Sequence, residues 1–341
     1  MEEYLRTPVD PFLISEGCSV SELVTKMGGT SFQARNLARG VEVWSQMLEE
    51  EVTIFLGLAG AMVPAGMRQV MVYLIENRLI DCLVSTGANL FHDLHESLGR
   101  FHWKGSASAD DRELADAKIY RIHDVFASEE EFDDSEEFAI NFSNGLEQDR
   151  AYTTREYFFL LGKELSTKGK KEGILTAAAK ANLPIYCPAP GDSVFGTALA
   201  AARVKGENKL LFDIVTDIIE MVKIASDAKS SGAILIGGGT PKNFIQQIEL
   251  CGYILDRELK GHDYAIQITT DSPQWGGLSG CTFDEARSWR KVSPSAKTIT
   301  VNCDATIALP LMVSALSQRS AQAIKNRKRP TFLLERELTI H

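Results

Sequence analysis

Short apolar runs alternate with amphipathic helical stretches along most of this chain, and this alternation limits the folds open to it. Six apolar runs of four or five residues predict strands, at residues 52–56, 81–84, 183–187, 233–236, 264–268 and 298–301. Apolar residues at helical spacing lie between them, most clearly at residues 67–77, 172–180 and 210–228. Strands that alternate with helices in this way predict an α/β fold, with a parallel sheet covered by helices on both faces.

No repeat or Pro/Ser-rich linker divides the 341 residues, so a single large domain, residues 1–341, is expected. Residues 31–50 predict a helix that packs outside the sheet, and residues 1–50 are interpreted as a helical N-terminal extension packed on the domain. The chain starts with the polar, acidic residues MEEYLR, unlike a secretory signal, and its apolar runs are too short to span a membrane. A cytoplasmic location is therefore expected.

Charge and composition exclude some classes of function. The formal net charge of −10 argues against nucleic acid as the main partner, because phosphate binding needs a basic face. The six cysteines are scattered without a Cys-x-x-Cys pair, which argues against zinc sites and disulfide frameworks. His92 and His95 could share a helix face, but no third ligand is evident, so no metal is expected.

Small residues collect where the predicted strands end, at residues 57–60, 85–89, 237–241, 269–271 and 304–306. Ligands of open α/β sheets bind beyond the carboxyl ends of the strands, where small residues let backbone amides approach a phosphate. Each turn alone is weak evidence because tight turns use glycine for conformational reasons, and there is no Gly-x-Gly-x-x-Gly fingerprint. Together they favour a nucleotide-sized crevice, in which Asp192 and Asp304 could hold ribose hydroxyls.

The most informative stretch is a glycine-rich loop that leads into a short predicted helix, at residues 276–292. Glu285 can hold an ammonium group, and Trp289 offers an aromatic face to a cation. Lys291, if desolvated, could lose its proton and attack an imine or carbonyl carbon. Without further context, an exposed helix with a surface lysine is the simpler interpretation.

Residues 284–291 read DEARSWRK, which resembles the active-site signature of deoxyhypusine synthases, Asp-Glu-Ala-x-Ser-Trp-x-Lys. Further matches to this family follow in the same order along the chain, at residues 29–36, 53–57, 162–164, 236–239 and 304–305. The resemblance implies a Rossmann-like fold and a homotetramer of paired subunits with active sites at the dimer interface. It also implies a reaction in which NAD oxidises spermidine, a lysine carries the 4-aminobutyl group as an imine, and an acceptor amine receives it.

The resemblance implies a role for each matching residue. Lys291 would be the nucleophile, with Glu285 and Trp289 binding the polyamine and Asn243 in the same pocket. The implied NAD site comprises Thr86, Gly87, Asp192, Gly237, Gly238, Gly239, Thr270, Asp304 and Ala305.

The chain also departs from the family pattern. Asn243 stands where the family has a histidine that assists proton transfer, and an amide does not titrate at neutral pH. Thr197 and Leu278 stand where polyamine-binding aspartates are expected, and Trp275 stands near the place of a third acidic residue. Fewer anions in a site for a trication should change which amine binds.

His92 falls where the family places a glutamate near the nicotinamide, and we hypothesise that it supplies part of the missing acid/base function. The favoured function is an NAD-dependent aminoalkyl transferase acting on a small polyamine, as homospermidine synthases of this family are. True deoxyhypusine synthase, which modifies a lysine of the hypusine-bearing translation factor, is the near alternative. A non-catalytic NAD-binding relative and an ordinary dehydrogenase stay open.

Overall fold

Six parallel strands form the central sheet of the computed structural model, which describes residues 5–341. They are β1 Thr53–Leu58, β2 Cys82–Ser85, β3 Ile185–Tyr186, β4 Ser231–Ile236, β5 His262–Thr269 and β6 Val292–Asn302. The sheet order is β3-β2-β1-β4-β5-β6, and every neighbouring pair is parallel. This is the Rossmann strand order, in which the direction of winding reverses between β1 and β4.

The helices within residues 5–341 are numbered α1 to α14 in chain order. They are Val20–Gly28, Phe32–Glu49, Arg68–Glu76, Gly87–Ser97, Asp111–Asp116, Glu129–Asn144, Thr154–Lys168, Ile174–Ala181, Val194–Val204, Ile214–Asp227, Gly239–Ile248, Phe283–Ser288, Ala305–Arg319 and Ala321–Asn326. Between α4 and α6 the chain forms a small antiparallel sheet of Trp103–Lys104, Ile119–Ile122 and Val125–Ser128. Two further short strand pairs join Ala151–Tyr152 to Leu211–Phe212 and Phe332–Leu333 to Thr339–Ile340.

The sheet is buried on both faces because successive side chains of a strand point to opposite sides. On β1, Ile54 and Leu56 belong to one hydrophobic cluster and Phe55 to another. β4 alternates in the same way, with Ile234 in the first cluster and Leu235 in the second. Helices therefore cover both faces, as the near-continuous apolar strands predict.

The predicted fold class is confirmed, and each predicted strand overlaps a strand of the sheet. The helix predicted at residues 31–50 is α2, which packs against β5 and β6 with Trp44 fully buried. The extents differ at β6, which begins at Val292 rather than at 298, and α1 was not predicted. The N-terminal extension, residues 1–50, stays a prediction, and its first four residues lie outside those described. Within residues 5–341 no helix is both long and apolar enough to span a bilayer.

Candidate active site

A cavity of about 350 Å³ opens at the carboxyl-terminal edge of the sheet, across the reversal between β1 and β4. Its walls come from the turns that follow β1, β4, β5 and β6. Ligands of doubly wound sheets bind at this place. Six of the predicted cofactor residues line the cavity together: Gly237, Gly238, Gly239, Thr270, Asp304 and Ala305.

The triple-glycine turn after β4 needs its glycines for two different reasons. Gly237 and Gly239 have φ values of +71° and +58°, a conformation that glycine adopts at little cost. Gly238 precedes α11, and a Cβ added there would lie 2.4 Å from the Cα of Ser279. The turn therefore brings the N-terminus of a ten-residue helix to the cavity, which is a favourable position for a phosphate.

Asp304 caps the N-terminus of α13 at the same rim. Its carboxylate accepts hydrogen bonds from the hydroxyl and the backbone N–H of Thr306, and these bonds lower the pKa of Asp304. The side chain is exposed and charged at neutral pH. It can accept hydrogen bonds from sugar hydroxyls, as the sequence predicts.

Thr86, Gly87 and Asp192 form a second group beside the cavity rather than in its lining. Thr86 caps α4 and accepts a hydrogen bond from the Asn89 side chain, which also donates to the Gly60 carbonyl at 2.7 Å. Gly60 lines the cavity, so the turn after β2 is tied to its wall. A Cβ on Gly87 would meet the Ser193 hydroxyl at 2.4 Å, so the Asp192 loop packs against this turn. Small turns, helix N-termini and exposed carboxylates along one sheet edge fit a dinucleotide.

Lys291 lies between α12 and β6, half buried. Its Nζ donates to Oδ1 of Asn243 at 3.0 Å and lies 5.6 Å from the centre of the Trp289 ring. The amide nitrogen of Asn243 donates to Oε1 of Gln247 at 3.0 Å, so the hydrogen bonds orient the amide oxygen toward the lysine. Three predicted site residues, Lys291, Trp289 and Asn243, thus meet at one point.

Glu285 lies in the first turn of α12 with an exposed side chain, and its backbone N–H donates to the hydroxyl of Thr282, which caps the helix. Lys291, Trp289 and Glu285 do not line the cavity. The loop before α12 connects them to it, because Ser279 of that loop is part of the cavity wall.

The structure adds two residues that the sequence interpretation missed, Lys242 and Gln267. Lys242 follows the triple-glycine turn and is 1% exposed, although lysine is normally a surface residue. Its Nζ donates to Oε1 of Gln267 at 3.0 Å and to the carbonyl of Cys281 at 2.6 Å. The sequence does show a lysine directly before the candidate site residue Asn243. The neighbouring residues, however, do not indicate that this lysine is buried.

His92 lies in the second turn of α4. It forms a cluster with Glu96 of the same helix and with His102 of the segment that follows the helix. Its Nδ1 lies 2.9 Å from Nε2 of His102, whose Nδ1 lies 2.8 Å from Glu96. Burial lowers the pKa of His92 to about 3, and His102 and His95 act in the same direction. His92 is therefore neutral at physiological pH. Within residues 5–341 no group of three potential ligands is arranged to hold a metal ion.

We expect acid to destabilise the protein through this cluster. The folded-state pKa of His92 lies below the unfolded value of about 6.5, so its stabilising effect is complete above pH 6.5 and is lost as pH falls toward 3. The largest loss for one such group is about 1.4 kcal/mol per pH unit. Urea unfolding of wild type and His92→Asn at pH 7.5, 6.0 and 5.0 checks this. The variant should lose less stability than wild type, whereas the exposed control His123→Asn should match wild type. Equal pH dependence in all three proteins would contradict the expectation.

Three of the positions that depart from the family pattern are on the surface. Trp275 is 78% exposed and Leu278 39% exposed, both in the loop before α12, and Thr197 is exposed on α9. Trp289 is 60% exposed. The single chain thus presents a tryptophan and a leucine, Trp275 and Leu278, in the loop before the lysine segment, where carboxylates are expected from the resemblance.

Comparison with known proteins gives one consistent result. The sequence profile named DS, for deoxyhypusine synthase, matches residues 22–316. "Probable deoxyhypusine synthase 2" of Methanosarcina acetivorans is 49% identical over 89% of this chain and 88% of that protein. "Deoxyhypusine synthase-like protein" of Chlorobaculum parvum is 37% identical over 91% of this chain and 89% of that protein. A crystal structure of a candidate deoxyhypusine synthase from Entamoeba histolytica shares the fold, with a TM-score of 0.66 at 19% identity, over 92% of this chain and 98% of that one.

Proposed function

The chain belongs to the deoxyhypusine synthase family of NAD-dependent aminobutyl transferases, and we propose that it transfers a 4-aminobutyl group through an imine on Lys291. The observation that carries the proposal is the hydrogen bond between Lys291 Nζ and Asn243 Oδ1 at 3.0 Å. A neutral amide oxygen accepts a hydrogen bond from either protonation state of an amine, whereas a carboxylate favours the ammonium form. The contact thus pairs the proposed nucleophile with an uncharged group rather than with a carboxylate.

The proposed reaction needs few groups of the chain itself. NAD would supply the oxidation of the donor amine and the closing reduction. Lys291 Nζ attacks the imine carbon of the oxidised donor, and the bond from that carbon to the original nitrogen breaks as the departing amine takes a proton. The acceptor amine then displaces Lys291 by the same exchange in reverse. Trp289, with its ring beside the lysine, stabilises cationic intermediates, and Glu285 attracts the ammonium end of the substrate.

The proposed cofactor site is the cavity with its two neighbouring turns. The glycines at 237–239 would admit the pyrophosphate at the N-terminus of α11, and Asp304 would bind a ribose. Thr270 and Ala305 complete the wall, and Thr86, Gly87 and Asp192 extend the site along the sheet edge.

We propose a small polyamine as the acceptor because the pocket differs from the family pattern in its charges. Trp275, Leu278 and Thr197 are exposed and uncharged. Their surface would hold the amine through aromatic and apolar contact rather than through ion pairs.

A protein lysine is the second candidate acceptor. The Methanosarcina and Archaeoglobus relatives at 49% and 45% identity carry the name deoxyhypusine synthase, and this favours the translation-factor lysine. The two acceptors differ only in the final displacement of Lys291.

One incubation separates these possibilities. The protein is mixed with NAD, spermidine labelled in its butyl part, putrescine, and the hypusine-bearing translation factor, and all products are read by mass spectrometry. Labelled homospermidine is the expected product. Label on the translation factor alone would replace the small acceptor by the protein acceptor, and NAD reduction without any labelled transfer product would contradict both.

Asn243→Asp tests the contact that carries the proposal. The replacement keeps the shape of the side chain but sets a carboxylate against Lys291, which favours the unreactive ammonium form. Transfer at pH 7 should fall by roughly 10-fold or more and recover in part at higher pH. The exposed control Asn141→Asp should keep wild-type rates. An Asn243→Asp enzyme with an unchanged pH–rate profile would rule out this role for the amide.

Three further features stay predictions. The first is a homotetramer of paired subunits with active sites at the dimer interface, whose subunit number a native mass would test. His92 could assist only as a proton acceptor, since it is neutral near pH 7, and full turnover by His92→Ala would exclude it. The cytoplasmic location is the third.

A further inference from the structure

Lys242 is a buried cation that lies outside the proposed chemistry. It exposes 1% of its surface, and its Nζ donates to the side-chain oxygen of Gln267 and to the carbonyl of Cys281. Burying an ammonium group is costly unless hydrogen bonds replace its water. The two acceptors therefore explain how the chain holds Lys242 here, but not why a lysine is present.

The hydrogen bonds of Gln267 in β5 explain why a lysine is present at position 242. Its amide nitrogen donates to the carbonyl of Gly237 at 2.8 Å and to the carbonyl of Ser279 at 2.8 Å, while its oxygen accepts from Lys242. Both N–H groups and the oxygen are thus used. Lys242 fixes the direction of the amide, because its cation must face the oxygen. One side chain therefore joins the triple-glycine turn to the glycine-rich loop.

The glycine-rich loop leads directly into α12 and from there to Lys291. Ser279 also accepts a hydrogen bond from the Gly239 N–H at 3.3 Å, and its Cα fills the space beside Gly238. Two residues after Cys281 the chain enters α12, and the backbone N–H of Lys291 donates back to the carbonyl of Ala286 in that helix at 3.0 Å. The position of the loop thus sets the position of the segment that ends at Lys291.

We propose that Lys242 and Gln267 are positioning residues that clamp the glycine-rich loop, residues 276–281, against the triple-glycine turn and so set where Lys291 stands relative to the cavity. Neither residue touches the reacting atoms. The effect of the clamp on catalysis rests on the proposed function. The rigidity of the loop can be measured without any enzymatic activity.

The charge of Lys242 makes the clamp sensitive to pH. Burial lowers its pKa to about 8, with Lys291 acting in the same direction and Cys281, Glu285 and Asp271 opposing it. Below pH 8 the protonated amine makes charge-assisted hydrogen bonds to both acceptors. As pH rises through 8 these bonds weaken, so the loop should loosen over that range.

Hydrogen exchange of the loop tests the clamp. The proteins are wild type, Lys242→Met, which removes the cation, and Gln267→Glu, which keeps an oxygen for Lys242 but loses both N–H donors. Gln246→Met is the matched control, because Gln246 is equally buried on α11 and its amide nitrogen has no hydrogen-bond partner. After correction for intrinsic exchange, the peptide covering residues 276–281 should exchange at least about 10-fold faster in both clamp variants and at the wild-type rate in the control. The loosening of wild type near pH 8 should be absent from Lys242→Met.

Single-turnover trapping of the Lys291 imine by borohydride tests the consequence. Imine formation should fall by roughly 10-fold in both clamp variants, with NAD affinity, measured by calorimetry, close to that of wild type. Unchanged loop exchange would overturn the clamp, and loosened exchange with full-rate imine formation would overturn the positioning role. If wild type itself traps no imine, the proposed function fails, and the exchange data alone decide the clamp.

Discussion

Lys291→Ala is expected to abolish transfer while leaving dinucleotide binding intact. The alanine removes the only proposed nucleophile, and the loss should be roughly 10³-fold or more. The cavity that would hold the cofactor is built from other residues, so NAD affinity by calorimetry should stay at the wild-type level. Lys291→Arg should be equally inactive, because a guanidinium keeps the charge beside Trp289 and Asn243 but does not lose its proton at working pH.

The matched control is Lys297→Ala, in strand β6, which directly follows Lys291; Lys297 is exposed and hydrogen-bonded to Gln46. It should keep wild-type rates, measured as labelled product per enzyme over time. Full transfer by Lys291→Ala would assign the reaction to an ordinary dehydrogenase that releases its product, which needs no lysine carrier.

Gly238→Ala is expected to have the second largest effect. The added Cβ would lie 2.4 Å from the Ser279 Cα and 2.6 Å from its Cβ, distances that force the turn or the loop to move. The turn lines the proposed cofactor cavity and the loop leads to Lys291, so one shift would disturb both. A displacement near 1 Å in an active site costs about 100-fold in rate, and we expect a loss of that order in transfer, together with weaker NAD binding.

Gly145→Ala is the control, since Gly145 has φ −76° and the nearest atom to an added Cβ is 3.4 Å away. Rates and calorimetric affinity should match wild type for this variant, with circular dichroism to check that both proteins fold. Wild-type affinity and rate in Gly238→Ala would mean that the close approach of the turn and the loop is not needed for function.

The fold could be predicted because buried parallel strands have a simple sequence pattern. Residues 54–56 of β1 and 233–236 of β4 are continuous apolar runs followed by glycine, and both strands are predicted from the sequence. β6 was predicted too short, because Ser293, Pro294 and Ser295 at its start do not have the composition of a strand. Its first residues are paired only through Val292, opposite His262, before the register shifts.

Two parts of the candidate site could be predicted from the sequence. One is the motif that lies in a single continuous segment, and the other is the group of turns at the ends of neighbouring strands. The cavity collects Gly237–Gly239 with Thr270, Asp304 and Ala305 because parallel strands end at one edge. Contacts between side chains that are distant in the sequence could not be predicted from it. Lys242 meets Cys281 across 39 positions, and composition alone suggests an exposed lysine. The contact between His92 and His102 depends on how the segment after α4 folds back onto that helix, which the sequence pattern does not indicate.

The most direct test of the central claim is to locate the covalent intermediate. Wild-type protein is incubated with NAD and spermidine, reduced with borohydride, digested and sequenced by mass spectrometry. The account predicts one 4-aminobutyl adduct, on Lys291, that requires NAD to form. An adduct on another lysine such as Lys242, or transfer product without any adduct on Lys291, would contradict it.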